Sequence, residues 1–315
     1  MLYLASNFSC SDPRDIIYCL RGMIHIRKGS ELLRPNYELG IGDVYRNVVE
    51  AALLNFESTD VLLYTTDVDD PSWIPQWHRP MLFRNPFRFG KELPWRPAGT
   101  TKPSWKIDKK SNTLSLTGSV VDVIKFVEPY NESYFGNALL ETLSGRDLLG
   151  HVWDRILMTM ERGLDDAPFS KGVLQATALA FCFGLDENCN PGDELQLLLK
   201  FIAYLKSVLS KEAYEKYIPM DLAKQATDAD ANLFGKPVWD FEYPESSFFI
   251  TENKFIGCAT GKNAEGDMLF IAHGSTYPFI LRPSNEHFLV KGFAWVSGVM
   301  LGERLNSTGK VFDIR

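Results

Sequence analysis

The sequence predicts an α+β fold in which helical N-terminal and middle segments pack on a C-terminal antiparallel β-sheet or small barrel. Apolar residues repeat with helical spacing in the middle of the chain, and short apolar runs between turn residues fill the final third. Helices and strands are grouped rather than alternating, which argues against a parallel βαβ sheet. The 315 residues, 45% of them hydrophobic, suit one large domain or two. We expect a single interwoven domain over residues 1–315.

Residues 1–66 are predicted to be helical. Asp12 is the expected N-cap of a first helix, because Pro13 suits the first turn and Asp15 lies near the positive end of the helix dipole. A second helix is predicted over residues 42–56. The first helix would carry an apolar face made of Ile16, Ile17, Leu20 and Met23.

Residues 67–111 are predicted to form a loop rich in proline and tryptophan. Seven prolines between residues 67 and 104 exclude long helices and central strands there. Long loops in compact domains are usually functional or packed on the surface, so this one is a candidate gate to a binding site. The acidic residues 67–70 are predicted to form a solvated turn rather than a magnesium site, because Pro71 follows directly and argues against a helix.

The remaining regions are strands, helices and strands again. Residues 112–128 predict a strand pair or one long bent strand, with Gly118 at a bulge or turn. Residues 136–225 return to helical periodicity, as in Leu148, Val152, Ile156 and Met160, and Asp193 would cap a helix over 194–209. Residues 246–304 predict antiparallel strands at 247–251, 255–259, 268–273, 277–281 and 288–296.

Composition excludes several classes of function. The net charge of −7 disfavours nucleic acid and anionic membrane as partners. The longest apolar stretch, residues 173–185, is shorter than the roughly 20 residues that a membrane span needs. Five scattered cysteines without CxxC spacing indicate reduced thiols, and therefore a cytoplasmic protein without a zinc site. No cofactor motif is found, so we expect neither metal nor cofactor.

Four polar residues are candidate catalytic donors, namely His78, His273, Tyr277 and Arg282. Histidine changes charge near neutral pH, although each of these histidines is more often an ordinary polar residue than a catalyst. Arg282 closes an apolar run, where a charge needs a partner. A salt bridge to Asp267 or Glu303 is the structural interpretation, and anion binding is the alternative.

Three tryptophans are candidate substrate-binding walls, namely Trp73, Trp77 and Trp295. Most of the 7 Trp, 21 Phe and 12 Tyr residues must belong to the core. Aromatic side chains on a loop stiffened by proline can equally line an apolar pocket. The sequence therefore leaves a core role and a binding role open for these residues.

Seven short stretches of the sequence form a recognisable series, namely residues 10–23, 34–37, 43–45, 71–77, 266–267, 278–282 and 292–303. Taken in this order, they resemble the region downstream of the effector domain in fungal heterokaryon-incompatibility (HET-domain) proteins. Asn36 and Gln76 replace acidic residues of the family pattern, and Arg21 interrupts an apolar position. The resemblance implies a fungal source and a shared fold, and it supplies no catalytic residues. The HET domain itself is expected to be absent.

Two functions fit a scaffold of this kind without its effector. The first is a cofactor-independent cyclase or isomerase, a pericyclase of the Diels–Alder type, that binds an apolar intermediate of fungal secondary metabolism. Such an enzyme holds a reactive conformer between aromatic walls and polarises a carbonyl with one or two donors. The alternative is a non-catalytic interaction or regulatory module with a protein partner, which would expose an apolar patch. The sequence does not fix the oligomeric state.

Overall fold

The computed structural model describes residues 10–65, 71–78, 94–130, 142–235 and 245–315. Within these ranges the chain forms seven α-helices and eight β-strands, which confirms the α+β class. The helices are α1 (Asp15–Tyr18), α2 (Ile41–Phe56), α3 (Leu143–Gly163), α4 (Lys171–Phe181), α5 (Glu194–Val208), α6 (Lys211–Tyr217) and α7 (Met220–Gln225). The strands are β1 (Trp105–Asp108), β2 (Thr113–Tyr130), β3 (Ser246–Thr251), β4 (Ile256–Thr260), β5 (Met268–Ala272), β6 (Phe279–Ser284), β7 (His287–Val296) and β8 (Lys310–Ile314).

Six of the strands close into a barrel. Antiparallel pairings run from β2 to β3, β4, β7, β6 and β5, and β5 pairs with β2 again. Strand β2 can close the ring because it is 18 residues long: residues 118–123 pair with β5 and residues 124–130 pair with β3. Register shifts after Val120 and Ile124 bend the strand between its two partners.

Two short strands extend the first half of β2 beyond the ring. Strand β1 pairs with β2 between Thr113 and Leu116, and β8 pairs with β2 over residues 114–118. A single parallel pair, Phe288 with Ile314, also joins β8 to β7. The sequence analysis missed both strands, since β1 falls inside the predicted loop and β8 follows the last predicted strand.

The alternation of side chains along the barrel strands separates two cores. The inward positions form a small core to which every strand of the ring contributes, and Ala98 and Val299 join it from neighbouring loops. The interior is therefore filled with buried side chains, as in other narrow barrels. Its strand members are Ile124, Phe249, Ala259, Leu269, Ile271, Ile280, Ala294 and Val296.

The outward positions form the larger core, against the helices. Helix α3 packs on β2 and β3, and α4 packs on β4 and β7. The ring of Phe181 stacks on Phe248 at 5.8 Å, and Trp153 contacts Phe181 at 4.6 Å between centroids. Val152, Ile156 and Met160 are buried as the periodicity predicts, whereas Leu148 is 39% exposed. The helical repeat thus begins one turn later than expected.

The first predicted helix is wrong in length and in its cap. Helix α1 has four residues with Arg14 at the N-cap, and a 3-10 turn follows at Arg21–Met23, with Met23 63% exposed. Asp12 accepts hydrogen bonds from the main-chain N–H and the guanidinium of Arg14, so its carboxylate is engaged before the helix starts. Gly22 weakens helix propagation beyond this point. The Asp193 cap is confirmed by its 2.9 Å bond from the Gln196 N–H.

Gly118 allows a close approach of two strands rather than forming the predicted bulge. A Cβ atom at this position would lie 2.3 Å from the main-chain oxygen of Ile271 and 2.4 Å from the ring of Phe270. Gly118 pairs with Ala272 on β5 and with Lys310 on β8, so it lies where three strands meet. The bends of β2 come later, after Val120 and Ile124.

Gly118→Ala should therefore lower the free energy of unfolding by about 1–3 kcal/mol, because the methyl group forces β2 away from β5. Gly172→Ala is the matched control: a Cβ there meets nothing within 4 Å and lies in the first turn of α4, so alanine should add up to about 1 kcal/mol. Urea denaturation measures both. A Gly118→Ala variant as stable as the wild type would contradict the close approach.

Candidate functional site

Five aromatic side chains meet outside the barrel beside strand β7, and we call Trp95, Phe183, Tyr277, Phe293 and Trp295 the β7 aromatic cluster. The ring of Phe293 lies 5.4 Å from Tyr277 and 6.1 Å from Phe183. Phe183 lies 6.5 Å from Tyr277, and Trp95 lies 5.9 Å from Trp295 with the two ring planes at 81°. All are buried except Trp95, which is half-buried.

Strand and turn geometry bring these rings together. Phe293 and Trp295 are two residues apart on β7 and therefore project from the same face. Phe183 lies in the turn after α4, where it and Gly184 have φ values of 50° and 68°. A Cβ atom on residue 184 would lie 2.7 Å from the ring of Trp95 and 3.0 Å from Nε1 of Trp295. Glycine is required here for both its backbone conformation and the approach of the two indoles.

Polar groups without partners accompany the aromatic rings. The Nε1 atoms of Trp77, Trp95 and Trp295 are shielded from solvent, and none has a hydrogen-bond acceptor in the described part of the chain. Buried N–H groups in proteins usually have a hydrogen-bond partner, so these three N–H groups are candidates for a functional role. Burial, together with the nearby Asp60 carboxylate, raises the pKa of Tyr277 well above its ordinary value.

Asp60 belongs to this region although the sequence analysis did not select it. It starts the 3-10 turn Asp60–Tyr64, and its Oδ1 accepts the N–H of Thr276 at 2.9 Å, next to Tyr277. Burial raises the pKa of the Asp60 carboxyl. A buried carboxyl of this kind is a candidate site residue. The neighbouring residues Ser58 and Thr59 are typical of an ordinary turn, so nothing in the local sequence marks Asp60 as a site residue.

Trp73, Trp77 and His78 lie on the segment of residues 71–78, and each contacts a different part of the fold. Trp73 donates from Nε1 to the main-chain oxygen of Asn112 at 2.9 Å, which ties the loop to the start of β2. The ring of Trp77 lies 5.7 Å from Tyr64, at the other end of the turn that begins at Asp60. His78 stacks on Tyr45 at 5.7 Å. Residues 67–70, which are the acidic stretch, and residues 79–93 of the predicted loop lie outside the described residues.

His273 and Arg282 lie against separate partners. His273 directly follows β5, as predicted for the end of a strand, and its Nε2 lies 3.5 Å from the main-chain oxygen of Asn306. Arg282 forms two 2.8 Å hydrogen bonds with the buried carboxylate of Asp267, so the predicted salt bridge is confirmed. Glu303, the other suggested partner, accepts the N–H of Leu301 instead.

Clusters of metal ligands and membrane-spanning helices are both absent from the described residues. No group of three or more His, Cys, Asp or Glu side chains in the described ranges is placed to hold a metal ion. The helices found there are also too short or too polar to cross a bilayer. The candidate site therefore consists of aromatic rings, indole N–H groups, a phenol and a carboxyl.

The comparisons with known proteins concern the second half of the chain. Residues 204–311 match the Het-6 beta-barrel domain. This match confirms the resemblance of the C-terminal part of the chain to the C-terminal region of HET-associated proteins. The matched range of this Het-6 barrel includes strands β3 to β7, whereas β2, which closes the ring, precedes it. No match was found among curated proteins or solved structures.

Replacing Arg282 tests its structural role in the Het-6 barrel. Arg282→Met should lower the free energy of unfolding by about 2 kcal/mol, because the buried Asp267 carboxylate loses its cation and keeps only uncharged donors such as the Ala264 N–H, while the arginine itself is one-third exposed. Lys211→Met is the control, since its pair with Glu215 is exposed on both sides. Thermal and urea unfolding measure the difference. Unchanged stability would instead favour the alternative that Arg282 binds an anion.

Replacing Asp60 tests the raised pKa. The folded state holds the Asp60 proton to higher pH than the unfolded chain does, so stability falls as pH rises from the ordinary pKa through the folded one. Asp60→Asn should therefore be more stable than the wild type near pH 7, and the difference should vanish below about pH 3. Asp230→Asn is the control, because its exposed carboxylate also accepts a main-chain N–H. A pH-independent difference would contradict the prediction.

Proposed function

We propose that this HET-related scaffold is a cofactor-independent cyclase or isomerase of the pericyclase type. Its substrate would be an apolar intermediate of fungal secondary metabolism, bound at the β7 aromatic cluster in the cytoplasm. The observation that carries the proposal is this cluster, in which Tyr277 contacts Phe183 and Phe293 while Trp295 contacts Trp95. Tyr277 and Trp295 were both selected from the sequence. Aromatic walls with few polar groups are typical of sites for apolar ligands.

The chemistry requires no group that the cluster lacks. In an intramolecular [4+2] cyclisation, three π bonds of the substrate become two σ bonds and one π bond, with no atom or electron gained or lost. Catalysis then consists of holding the reactive conformer and stabilising charge that develops on an activating carbonyl. The Tyr277 hydroxyl, like any phenol, keeps its proton at neutral pH and can serve as a donor, and burial raises its pKa further above the ordinary value.

Trp95 is the most exposed member of the cluster. This half-buried residue lies between exposed Pro94 and exposed Arg96, whereas the other four rings are buried. We therefore place the entrance beside Trp95, with Trp295 as the inner wall. Trp73, Trp77 and His78 would form a second wall, joined to the first through the turn Asp60–Tyr64. His273 remains a candidate donor, and Arg282 is better explained as the partner of Asp267.

The alternative, a non-catalytic interaction module, needs a contiguous exposed apolar patch. The most exposed apolar side chains in the described ranges are Leu143, Met220 and Phe56, on helices α3, α7 and α2. Singly exposed apolar residues are common on soluble proteins and require no partner. We therefore favour the small-molecule function over the module.

A cyclisation assay tests the proposal. Linear trienones of increasing chain length, starting with 1,7,9-decatrien-3-one, are incubated with the protein, and the rate and stereochemistry of the bicyclic ketone are measured. Tyr277→Phe should slow cyclisation by about a hundredfold, because it removes one donor and keeps the ring. Met158→Ala, at an exposed position on α3, is the control.

Two results would count against an enzyme of this kind. One is an unchanged rate and product ratio for the whole trienone series, with no thermal shift of the protein. The other is full activity of Tyr277→Phe together with Trp295→Leu, provided that circular dichroism shows both variants folded. Stable capture of a protein partner by a chain that binds no trienone would favour the interaction module.

A further inference from the structure

Strand β1 has one edge that no described strand occupies. It pairs with β2 on its other edge, and β8 lies on the far side of β2, where Ile314 joins it to Phe288 of β7. Apart from β2, no described helix or strand makes an extensive contact with β1. An open strand edge presents N–H and C=O groups to which another chain can add. This edge is therefore a candidate interaction surface.

Alternate residues of β1 direct their main-chain groups away from β2. The Thr117 N–H donates to the Ser104 oxygen at 2.9 Å, so the even-numbered residues of β1 bond to β2. The N–H and C=O groups of Trp105 and Ile107 therefore point to the open edge, where neither residue has a main-chain bond to a described residue. The side chains of both are half-buried against the larger core.

The outer face of β1 carries one exposed charge of each sign, Lys106 and Asp108. Asp108 accepts the N–H of Lys110 at 2.9 Å and the hydroxyl of Ser111 at 2.8 Å, which holds its carboxylate beside the open edge. Lysine on an edge strand normally prevents pairing, because the same charge meets itself in a second copy. An acidic residue two positions away removes this protection in the register that brings opposite charges together.

We propose that β1 pairs antiparallel with β1 of a second copy of this chain, about a two-fold axis at Ile107. Lys106 of each copy then lies opposite Asp108 of the other, and the two Ile107 residues exchange their main-chain hydrogen bonds. The two charged pairs fall at positions without main-chain bonds, where the side chains of antiparallel strands come closest. Opposite charges across such a pair stabilise it, and the two-fold axis forms the contact twice.

Charge and main-chain geometry exclude the other registers. Only shifts by an even number of residues keep the outward N–H and C=O groups of both copies opposed. A shift by two residues places the two Lys106 side chains opposite each other in one direction and the two Asp108 side chains in the other, and like charges there are destabilising. Larger shifts leave the strand, because Pro103 has no N–H and residues 109–112 form a turn.

Sedimentation velocity on the full chain tests the pairing. The protein is measured from about 1 µM to about 1 mM, the range of weak complexes, because a four-residue strand buries little surface. Salt at about 0.15 M screens the repulsion between two chains of net charge −7. We expect the mass of the wild type to rise toward that of a dimer as the concentration increases.

Charge reversal on β1 identifies the contact. Lys106→Glu and Asp108→Lys should each raise the dimer dissociation constant about tenfold or more, because both cross-strand pairs become repulsive. An equal mixture of the two variants should associate again, since each supplies the charge that the other lacks. Lys211→Glu and Asp228→Lys, at exposed positions away from β1, are the matched controls and should associate like the wild type.

Amide hydrogen exchange locates the same contact without a substitution. The Ile107 N–H should gain protection as the concentration rises, whereas the Lys106 N–H, which faces β2, should be protected throughout. A wild type that stays monomeric over the whole range would overturn the proposal. So would a dimer in which exchange at Ile107 is independent of concentration, or one that both reversals leave intact. If Asp108→Lys does not fold, Lys106→Glu and the exchange measurement carry the test.

Discussion

The double pairing of β2 is the constraint on which the rest of the structure depends. One strand meets β5 with its middle and β3 with its end, and this closes the ring. The closure requires a residue without a side chain at Gly118, where Ile271 approaches too closely for a Cβ atom. Once closed, the barrel has a filled interior and an outer face that helices α3 and α4 cover. A binding site in the described part of the fold therefore belongs outside the ring.

The outer face joins segments that are distant in the chain. Gly184, in the turn after α4, brings the main chain against Trp95 and Trp295, which come from the loop before β1 and from β7. Ser72 accepts the N–H of Val290 and donates to the main-chain oxygen of Arg315, so the loop that carries Trp73 is fixed to β7. Because β2 precedes the range matched by the Het-6 domain, we propose that the chain folds as one interwoven unit.

Local pattern predicts much of the fold and little of the site. Helical periodicity located helices α2 to α5, and short apolar runs between turn residues located strands β3 to β7. It missed β1 and β8, which are short and partly exposed, and it misplaced the cap at Asp12, whose carboxylate binds Arg14. The Arg282 salt bridge was predictable because a charge that closes a buried strand needs a partner. The meeting of Trp95 with Trp295 depends on contacts across 200 residues of sequence, which no local pattern records.

Buried polar groups in the β7 aromatic cluster would lower the stability of a core whose only role is packing. Phenylalanine at position 295 would keep most of the buried area without an unpaired N–H, and β7 already uses phenylalanine at position 293. Likewise, an uncharged residue at position 60 would avoid a buried carboxyl with a raised pKa. Sequences usually depart from good packing and full pairing where function demands it. Near one group of rings, Trp95 and Trp295 depart from full pairing, and Asp60 supplies a carboxyl whose pKa burial raises. This is the physical reason to look for the ligand there.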